Sequence, residues 1–264
     1  MRRQSKNNWD AILFQLLSKN FGLKVNGLSF LSVAQSLDFK IFQKVRHNPQ
    51  QLEALLFGQA GLLKSGMPDA YREHLEREFN WIDRKFSLSS LGVIQPVFLR
   101  LRPPNFPTIR LAPLTMLLHK RPHLFSKIIA AQSIQELKEV FQVAAGSYWD
   151  DHFVFGTLSK KRTKRLSDGM IELLILNTVI PLKHAYAKFG GRDISEQLIQ
   201  LMMSLKAERN TIVDQYYELR QFRMTALESQ ALLHLNRNYC SKNKCLDCAV
   251  GNAILKWEHC SSGI

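Results

Sequence analysis

The residues best suited to bind an anion are three arginines beside a proline-rich connector. They are Arg100, Arg102 and Arg110, within the stretch FLRLRPPNFPTIR at residues 98–110. If the backbone before the prolines is extended, Arg100 and Arg102 share one face, because side chains alternate along a strand. Asn105 is predicted to cap a helix that starts near Pro107, with Arg110 about one turn inside it. Guanidinium groups near a helix N-terminus favour a phosphate site.

Two interpretations of these arginines stay open. The interleaved aromatic residues Phe98 and Phe106 are typical of a surface that binds single-stranded nucleic acid. Alternatively, the arginines pair with internal acids and hold helices together. The candidate acids are Glu53, Glu172 and Glu208.

A second basic segment would add phosphate-binding capacity. Its cations are Lys160, Lys161, Arg162, Lys164 and Arg165. Lysine-rich loops are, however, often only solvated. Arg100, Arg102, Asn105 and Arg110 are predicted to bind nucleic acid, and this segment is predicted to add non-specific attraction.

Three cysteines lie close together near the C-terminus: Cys240, Cys245 and Cys248. Thiolates at this spacing can hold a structural zinc ion, for which His259 and Cys260 are possible but distant fourth ligands. An iron–sulfur cluster is another possibility, although the spacing is not a ferredoxin pattern. The third interpretation is free, reduced thiols in a helical turn.

Acidic residues adjoin a histidine in the segment Tyr148–His152, which reads YWDDH. Asp150 or Asp151 with His152 could form a general-base pair or supply metal ligands. Adjacent residues on a helix do not share a face, which argues against both roles. The plainer prediction is that Trp149 anchors the core and that His152 makes local hydrogen bonds. We therefore expect no catalytic residue in this chain.

Helical periodicity dominates the elements that must position these residues. Asn48-Pro49 is a helix start signal, and the spacings at Ser133–Glu136 and Thr225–Glu228 are those of capping boxes. Within the first of these helices, Glu53 would complement the helix dipole or face a polar pocket. Strand alternation is limited to Val93–Leu101. The sequence predicts an all-α, irregular multi-helix domain with at most one short extended arm or hairpin.

Composition limits the class of protein. The chain has 264 residues, 45% of them hydrophobic, and a formal net charge of +14. Such a surplus favours nucleic acid first and an anionic membrane surface second, and the alternative is a basic protein with neither partner. Four cysteines do not make a disulfide framework. The longest apolar run, Met170–Leu182, is too short to span a bilayer, and no apolar signal-peptide core follows Met1, so a cytoplasmic location is expected.

The weakest joint in the chain is Gly156–Gly169, which holds the lysine-rich run. It predicts an N-terminal helical subdomain at residues 1–156 and a C-terminal one at residues 157–264. A single domain is the alternative.

Five ordered motifs carry a resemblance to a known family. They are RLRPPNFPTIRLA at 100–112, LEALLFGQAGLL at 52–63, YWDDHFVFG at 148–156, LNTVIPLKHAYAKFG at 176–190 and YCSKNKCLDCAVGNAILK at 239–256. The chain resembles an uncharacterised bacterial family known as domain of unknown function 2851, from about Trp9 to Lys256. Pro113 departs from the family pattern, which usually has glutamine there.

The resemblance implies no established activity. Longer members of the family have an extra N-terminal domain that is reminiscent of a metal-dependent nuclease core, and this chain would lack it. We therefore expect a non-catalytic, nucleic-acid-binding accessory domain that works beside a nuclease-like module. The alternatives are a protein-interaction scaffold for such a module and, third, a metal-dependent hydrolase. The oligomeric state is not predicted.

Overall fold

The protein is built almost entirely of helices, which confirms the all-α prediction. The computed structural model describes residues 8–64, 66–219, 221 and 224–261, with side chains described as far as residue 255. Contacts divide the chain into two compact units, Met1–Arg192 and Asp193–Ile264. Among the described residues, every helix is too short or too polar to cross a lipid bilayer.

The first unit contains ten α-helices and one small β-hairpin among its described residues. The helices are α1 (Trp9–Phe21), α2 (Leu23–Ser36), α3 (Phe39–Val45), α4 (Pro49–Gln59), α5 (Ala70–Phe86), α6 (Pro107–Lys120), α7 (Leu124–Ala130), α8 (Ile134–Phe141), α9 (Asp168–Leu174) and α10 (Ile180–Phe189). A π-helical turn, Ile175–Val179, joins α9 to α10. The hairpin pairs β1 (His152–Val154) with β2 (Thr157–Leu158) in antiparallel register.

The second unit is smaller. Its helices are α11 (Ser195–Met203), α12 (Thr211–Leu219), α13 (Ala226–Asn238) and α14 (Ala249–Ser261). The capping box predicted at Thr225–Glu228 is present at the start of α13. Helices α11 and α12 each pack against α13.

Large aromatic and aliphatic side chains form the core of the first unit. Helix α1 packs against α2, and α4 packs against both α5 and α6. Trp149 is fully buried and stacks on Phe57 of α4, with the ring centroids 5.4 Å apart. Asn48 caps α4 through its side chain, and Pro49 follows at the first helical position, as the sequence predicts.

The stretch predicted to be an extended arm does not pair as a strand. Residues 93–98 instead lie along α2, whose polar side chains hydrogen-bond to the backbone of this stretch. The Asn26 amide donates to the carbonyl of Val97 and accepts from its N–H, at 2.9 and 2.8 Å. Ser29 donates to the carbonyl of Ile94 at 2.5 Å. We call residues 93–98 the arm. Hydrogen bonds to side chains of α2 take the place of those that a neighbouring strand would make.

A proline is accommodated inside α6. Pro113 is buried, and the helix continues past it to Lys120. Helix α7 ends against a buried cation: the Lys183 ammonium donates to the carbonyls of Ile128, Ile129 and Ala131 at 2.8 to 3.1 Å. Those carbonyls have no partner within the helix, so Lys183 acts as a C-terminal cap.

The contact-based boundary between the units lies after Arg192, whereas the sequence analysis placed a possible boundary after Gly156. The lysine-rich run belongs to the first unit because its backbone returns to residues that precede the hairpin. Ala145 donates to the carbonyl of Lys164 at 3.0 Å, and Leu166 donates to that of Val143 at 3.1 Å.

Candidate nucleic-acid interface

The basic segment Lys160–Arg165 is a tethered strap rather than a loose loop, and we call it the strap. Besides the two backbone bonds near Lys164, the N–H of Arg162 donates to the carbonyl of Asp150 at 2.7 Å. The side chains of Lys160, Lys161, Arg162 and Arg165 are nevertheless exposed. The strap therefore presents four cations on a backbone whose position is largely fixed.

The strap and the first two turns of α6 enclose a cavity of about 850 Å³. Arg110 and all five strap cations line this cavity, and none of its described lining residues is acidic. The structure thus brings together Arg110 and the lysine-rich run, which the sequence analysis had named separately. Arg110 and the four exposed strap cations face a space that no acidic side chain lines, which makes the site strongly positive, while Lys164 interacts with nearby Asp150 and Asp151.

Arg110 has a half-buried guanidinium with an incomplete set of hydrogen bonds. Its Nη2 donates to the side-chain oxygen of Asn105. Its Nε is buried and has no hydrogen-bond partner. Burial lowers the pKa of Arg110, although an arginine this far above neutrality stays charged. The free N–H is a donor without an acceptor.

The predicted capping role of Asn105 is wrong. Residues Pro103–Asn105 form a 3-10 turn, and α6 starts after Phe106, which makes no side-chain cap. Two consecutive prolines favour this tight turn, and it places Asn105 one residue too early to cap the helix. The Asn105 side chain orients Arg110 instead.

Lys164 differs from the other strap cations because it is turned inward. Its ammonium donates to the carbonyl of Asp150 at 2.7 Å and lies 4.4 Å from the centre of the Phe153 ring. Only 9% of the residue is exposed, and burial lowers its pKa. In this position Lys164 holds the strap in place, and its charge is already matched to a carbonyl and a ring face.

Arg100 and Arg102 are exposed but do not line the cavity. The continuous extended backbone assumed to carry both is interrupted, because Leu99 and Arg100 form a turn in which Arg100 has a φ of 61°, although the backbone of Arg102 is extended. Phe98 and Phe106 are half-buried, and their rings pack edge to face with the centroids 5.2 Å apart.

The acids proposed to pair with these arginines have other partners. Glu53 accepts from Tyr71 and Trp149, and Glu172 pairs with Lys138 at 2.7 Å. Glu208 accepts from Gln230 at 2.8 Å. Within the described part of the chain, no ion pair involves Arg100, Arg102 or Arg110. The three arginines therefore do not connect helices through these carboxylates.

Reversing the charge of Arg100 should leave the fold intact. The side chain is exposed and in no ion pair, so Arg100→Glu should change the free energy of unfolding by less than about 0.5 kcal/mol. A thermal melt followed by circular dichroism measures this, with Lys24→Glu, an exposed lysine on α2, as the matched control. A large drop in melting temperature for Arg100→Glu alone would show that Arg100 is an internal strut.

The segment that contains Asp150, Asp151 and His152 is organised by local contacts. Ser147–Asp150 is a 3-10 turn, and His152 Nδ1 lies 3.0 Å from the Tyr148 carbonyl and 2.7 Å from Asp151 Oδ1. The anchoring role predicted for Trp149 and the local hydrogen bonding predicted for His152 are both confirmed. An Asp–His pair does exist, between sequence neighbours, but no described group of three or more metal-ligating side chains includes it.

The three cysteines are free thiols in this structure. Cys240 and Cys245 are exposed, whereas Cys248 is buried just before α14. Among the side chains described, no three from His, Cys, Asp or Glu converge on a point that could hold a metal ion, so these thiols as placed do not form a zinc or iron–sulfur ligand set. His259 and Cys260 lie outside the described side chains. A metal at this segment stays a prediction.

The sequence analysis left Glu53 open between a helix-dipole charge, a residue facing a polar pocket and a partner of the arginines, and in the structure it is a buried carboxyl near the hairpin. Glu53 is 2% exposed, and it accepts hydrogen bonds from Trp149 Nε1 at 2.6 Å and from the Tyr71 hydroxyl at 3.1 Å. Burial raises the pKa of Glu53 to about 7, against the lowering effect of these two bonds. The signal in the sequence was the apolar run Ala54–Phe57 that directly follows Glu53, which leaves this helix few positions that can face solvent.

Aromatic stacking continues from this carboxyl toward the surface. The ring of Tyr71 stacks on Tyr148 at 4.1 Å, and Tyr148 stacks on His152 at the same spacing. Asp69 accepts from the Tyr148 hydroxyl at 2.5 Å and from the N–H of Gly156 at 2.8 Å. This network joins α4, α5 and the hairpin, and so it fixes the base of the strap, which is bonded to Asp150.

Comparison with known proteins identifies the family but no function. The model of the family described as "Protein of unknown function (DUF2851)" matches residues 1–211. The match includes the arm, the cavity and the strap, while the cysteine segment lies beyond it. No curated protein and no solved structure matches the chain. Because the match covers most of the 264 residues, the chain belongs to the DUF2851 family of proteins of unknown function.

Proposed function

We propose that this protein binds nucleic acid, without catalysis, through the cationic cavity between the strap and α6. The observation that carries the proposal is the convergence of six cations and no acid on one cavity of about 850 Å³. Lys160, Lys161, Arg162 and Arg165 are exposed and free to contact phosphates. Arg110 adds a guanidinium that Asn105 orients. Arg100 and Arg102 extend the positive surface outside the cavity.

Phosphate binding explains why so many like charges gather here. Each unpaired cation in a cluster raises the energy of its neighbours, so the cluster is costly to the free protein and is relieved by a polyanion. A tethered backbone also favours binding, because little conformational freedom is lost when the cations engage phosphates. The net charge of +14 would add long-range attraction.

The salt dependence of binding tests this proposal. We expect a labelled oligonucleotide of about 20 residues to bind at about 50 mM salt, and its affinity to fall at least about a hundredfold by about 200 mM, because five phosphate contacts would release counterions. Fluorescence anisotropy at both salt concentrations gives the two dissociation constants. No binding at the lower salt concentration would reject the proposal.

A protein-interaction scaffold is the second candidate, and exposed apolar residues around the arm favour it. Leu91 is 92% exposed and Leu99 is 78% exposed, and Ile94 and Val97 lie between them. Exposed apolar residues that lie close together often mark protein interfaces. Apolar association persists as salt rises, so the same salt titration with a candidate partner separates the two functions.

A further inference from the structure

The cationic cavity has two chemically different parts. Its lining includes buried Ile109 and Pro113 and half-buried Phe153 and Leu166, as well as the exposed strap cations. Buried Ile109 and Pro113 form an apolar floor, and the four exposed strap cations form a positive rim; the fifth, Lys164, is buried beside the Phe153 ring. A cavity that served only to attract a phosphate backbone would not need an apolar floor.

We propose that the cavity receives an unstacked nucleobase, so that the protein selects single-stranded over double-stranded nucleic acid. This inference rests on the proposed function and names its substrate class. A nucleotide has two parts that match the floor and the rim of the cavity: a flat base of low polarity and a phosphate on either side. The cavity volume of about 850 Å³ lies within the usual size of ligand pockets, about 300–1,000 Å³.

Arg110 supplies a contact that a base requires, and it lines the cavity together with the Phe153 ring, one face of which Lys164 already covers. Bases of single strands stack on aromatic rings and guanidinium planes and hydrogen-bond through their exposed edges. Arg110 lines the cavity, is held by Asn105 and retains an unpaired Nε–H. A base or its phosphate supplies the missing acceptor.

A duplex does not offer an unstacked base. Its bases are stacked and paired in the interior, so one base must be extruded before it can enter a cavity, at a cost in unstacking and unpairing. The duplex still contacts the strap through its phosphates. We therefore expect about a hundredfold preference for single strands at equal salt.

Anisotropy with three ligands of equal length tests the inference: a thymine single strand, the matching duplex, and a single strand of abasic sugar-phosphates. The thymine strand should bind about a hundredfold more tightly than either of the others. Equal binding of the abasic strand or of the duplex would overturn the base pocket while leaving the proposed function standing. Failure of all three to bind would reject the proposed function itself.

Two arginine variants locate the effect in the cavity. Arg110→Gln keeps a donor for Asn105 but removes the guanidinium, so it should reduce the single-strand preference at least about tenfold. Arg165→Gln is the matched control on the exposed rim. It should weaken the binding of the thymine single strand and of the duplex by similar factors. If Arg110→Gln and Arg165→Gln reduced the single-strand preference equally, the inference would be contradicted. If Arg110→Gln does not fold, as judged by its melting curve, Arg110→Lys gives the same test, because it removes the guanidinium plane and keeps the charge.

Discussion

Replacing the four exposed strap cations with alanine should lower the affinity for a single-stranded oligonucleotide about a thousandfold at about 50 mM salt. The changes are Lys160→Ala, Lys161→Ala, Arg162→Ala and Arg165→Ala. Each lost phosphate contact removes about 0.7 from the slope of log affinity against log salt, so the slope should fall by about 3. The two quantities come from one anisotropy series across several salt concentrations.

The same variant should fold normally. None of the four side chains forms an ion pair within the described part of the chain, and the bonds that tether the strap come from its backbone and from Lys164. Exposed substitutions of this kind change the free energy of unfolding by less than about 0.5 kcal/mol. Unchanged melting would therefore show that lost affinity reflects lost contacts.

A control variant with the same net charge as the strap variant lacks four exposed lysines elsewhere on the first unit. The substitutions are Lys24→Ala, Lys40→Ala, Lys120→Ala and Lys127→Ala, on α2, α3, α6 and α7. If binding depends on the strap, this variant should lose less than about tenfold, since only long-range attraction is reduced. Equal losses from both variants would mean that net charge alone attracts the nucleic acid.

Local chemistry made the helices predictable from the sequence. Asn48-Pro49, Ser133 and Thr225 all precede helices in the structure, because a capping side chain bonds to backbone within three residues of itself. The capping role predicted for Asn105 is wrong for an equally local reason: the two prolines before it are part of a 3-10 turn that changes where the helix starts. Whenever two local signals overlap, propensity alone does not decide between them.

The candidate site could not be predicted in full, because contacts between residues far apart in the sequence assemble it. The sequence named Arg110 and the lysine-rich run separately, and they meet because Val143 and Ala145 hydrogen-bond to the far end of the strap. Lys164 looks like its neighbours in sequence, yet a carbonyl and a ring bury it. The role of Glu53 stayed open between a helix-dipole charge and a residue facing a polar pocket, because its hydrogen-bond partners lie 18 and 96 residues away.

The buried Glu53 should make the stability of the protein fall as pH rises through neutrality. Its pKa is about 7 in the folded protein against 4.5 for an unperturbed group, so the folded state binds the proton more tightly. The stabilising contribution of the protonated carboxyl is complete below about pH 4.5 and is lost as pH rises through about 7. The loss is about 3 kcal/mol by about pH 8, from this group alone.

Glu53→Gln should remove this pH dependence. A neutral amide can accept from Trp149 and donate to the Tyr71 oxygen, so the variant should match the wild type at about pH 5 and exceed its stability by about 3 kcal/mol at about pH 8. Urea unfolding at the two pH values gives the comparison, with Glu73→Gln, an exposed acid on α5, as the control.

Glu53→Leu completes the argument, because it separates the cost of the charge from the value of the hydrogen bonds. It leaves the Trp149 N–H and the Tyr71 hydroxyl without their acceptor, so it should lose about 3 kcal/mol at about pH 5, where the wild-type carboxyl is neutral. At about pH 8 the loss should shrink, because the wild type then carries the cost of a buried charge. If Glu53→Gln keeps the wild-type fall in stability between the two pH values, the titrating group is not Glu53. A loss from Glu53→Leu that is equal at both values would show the same.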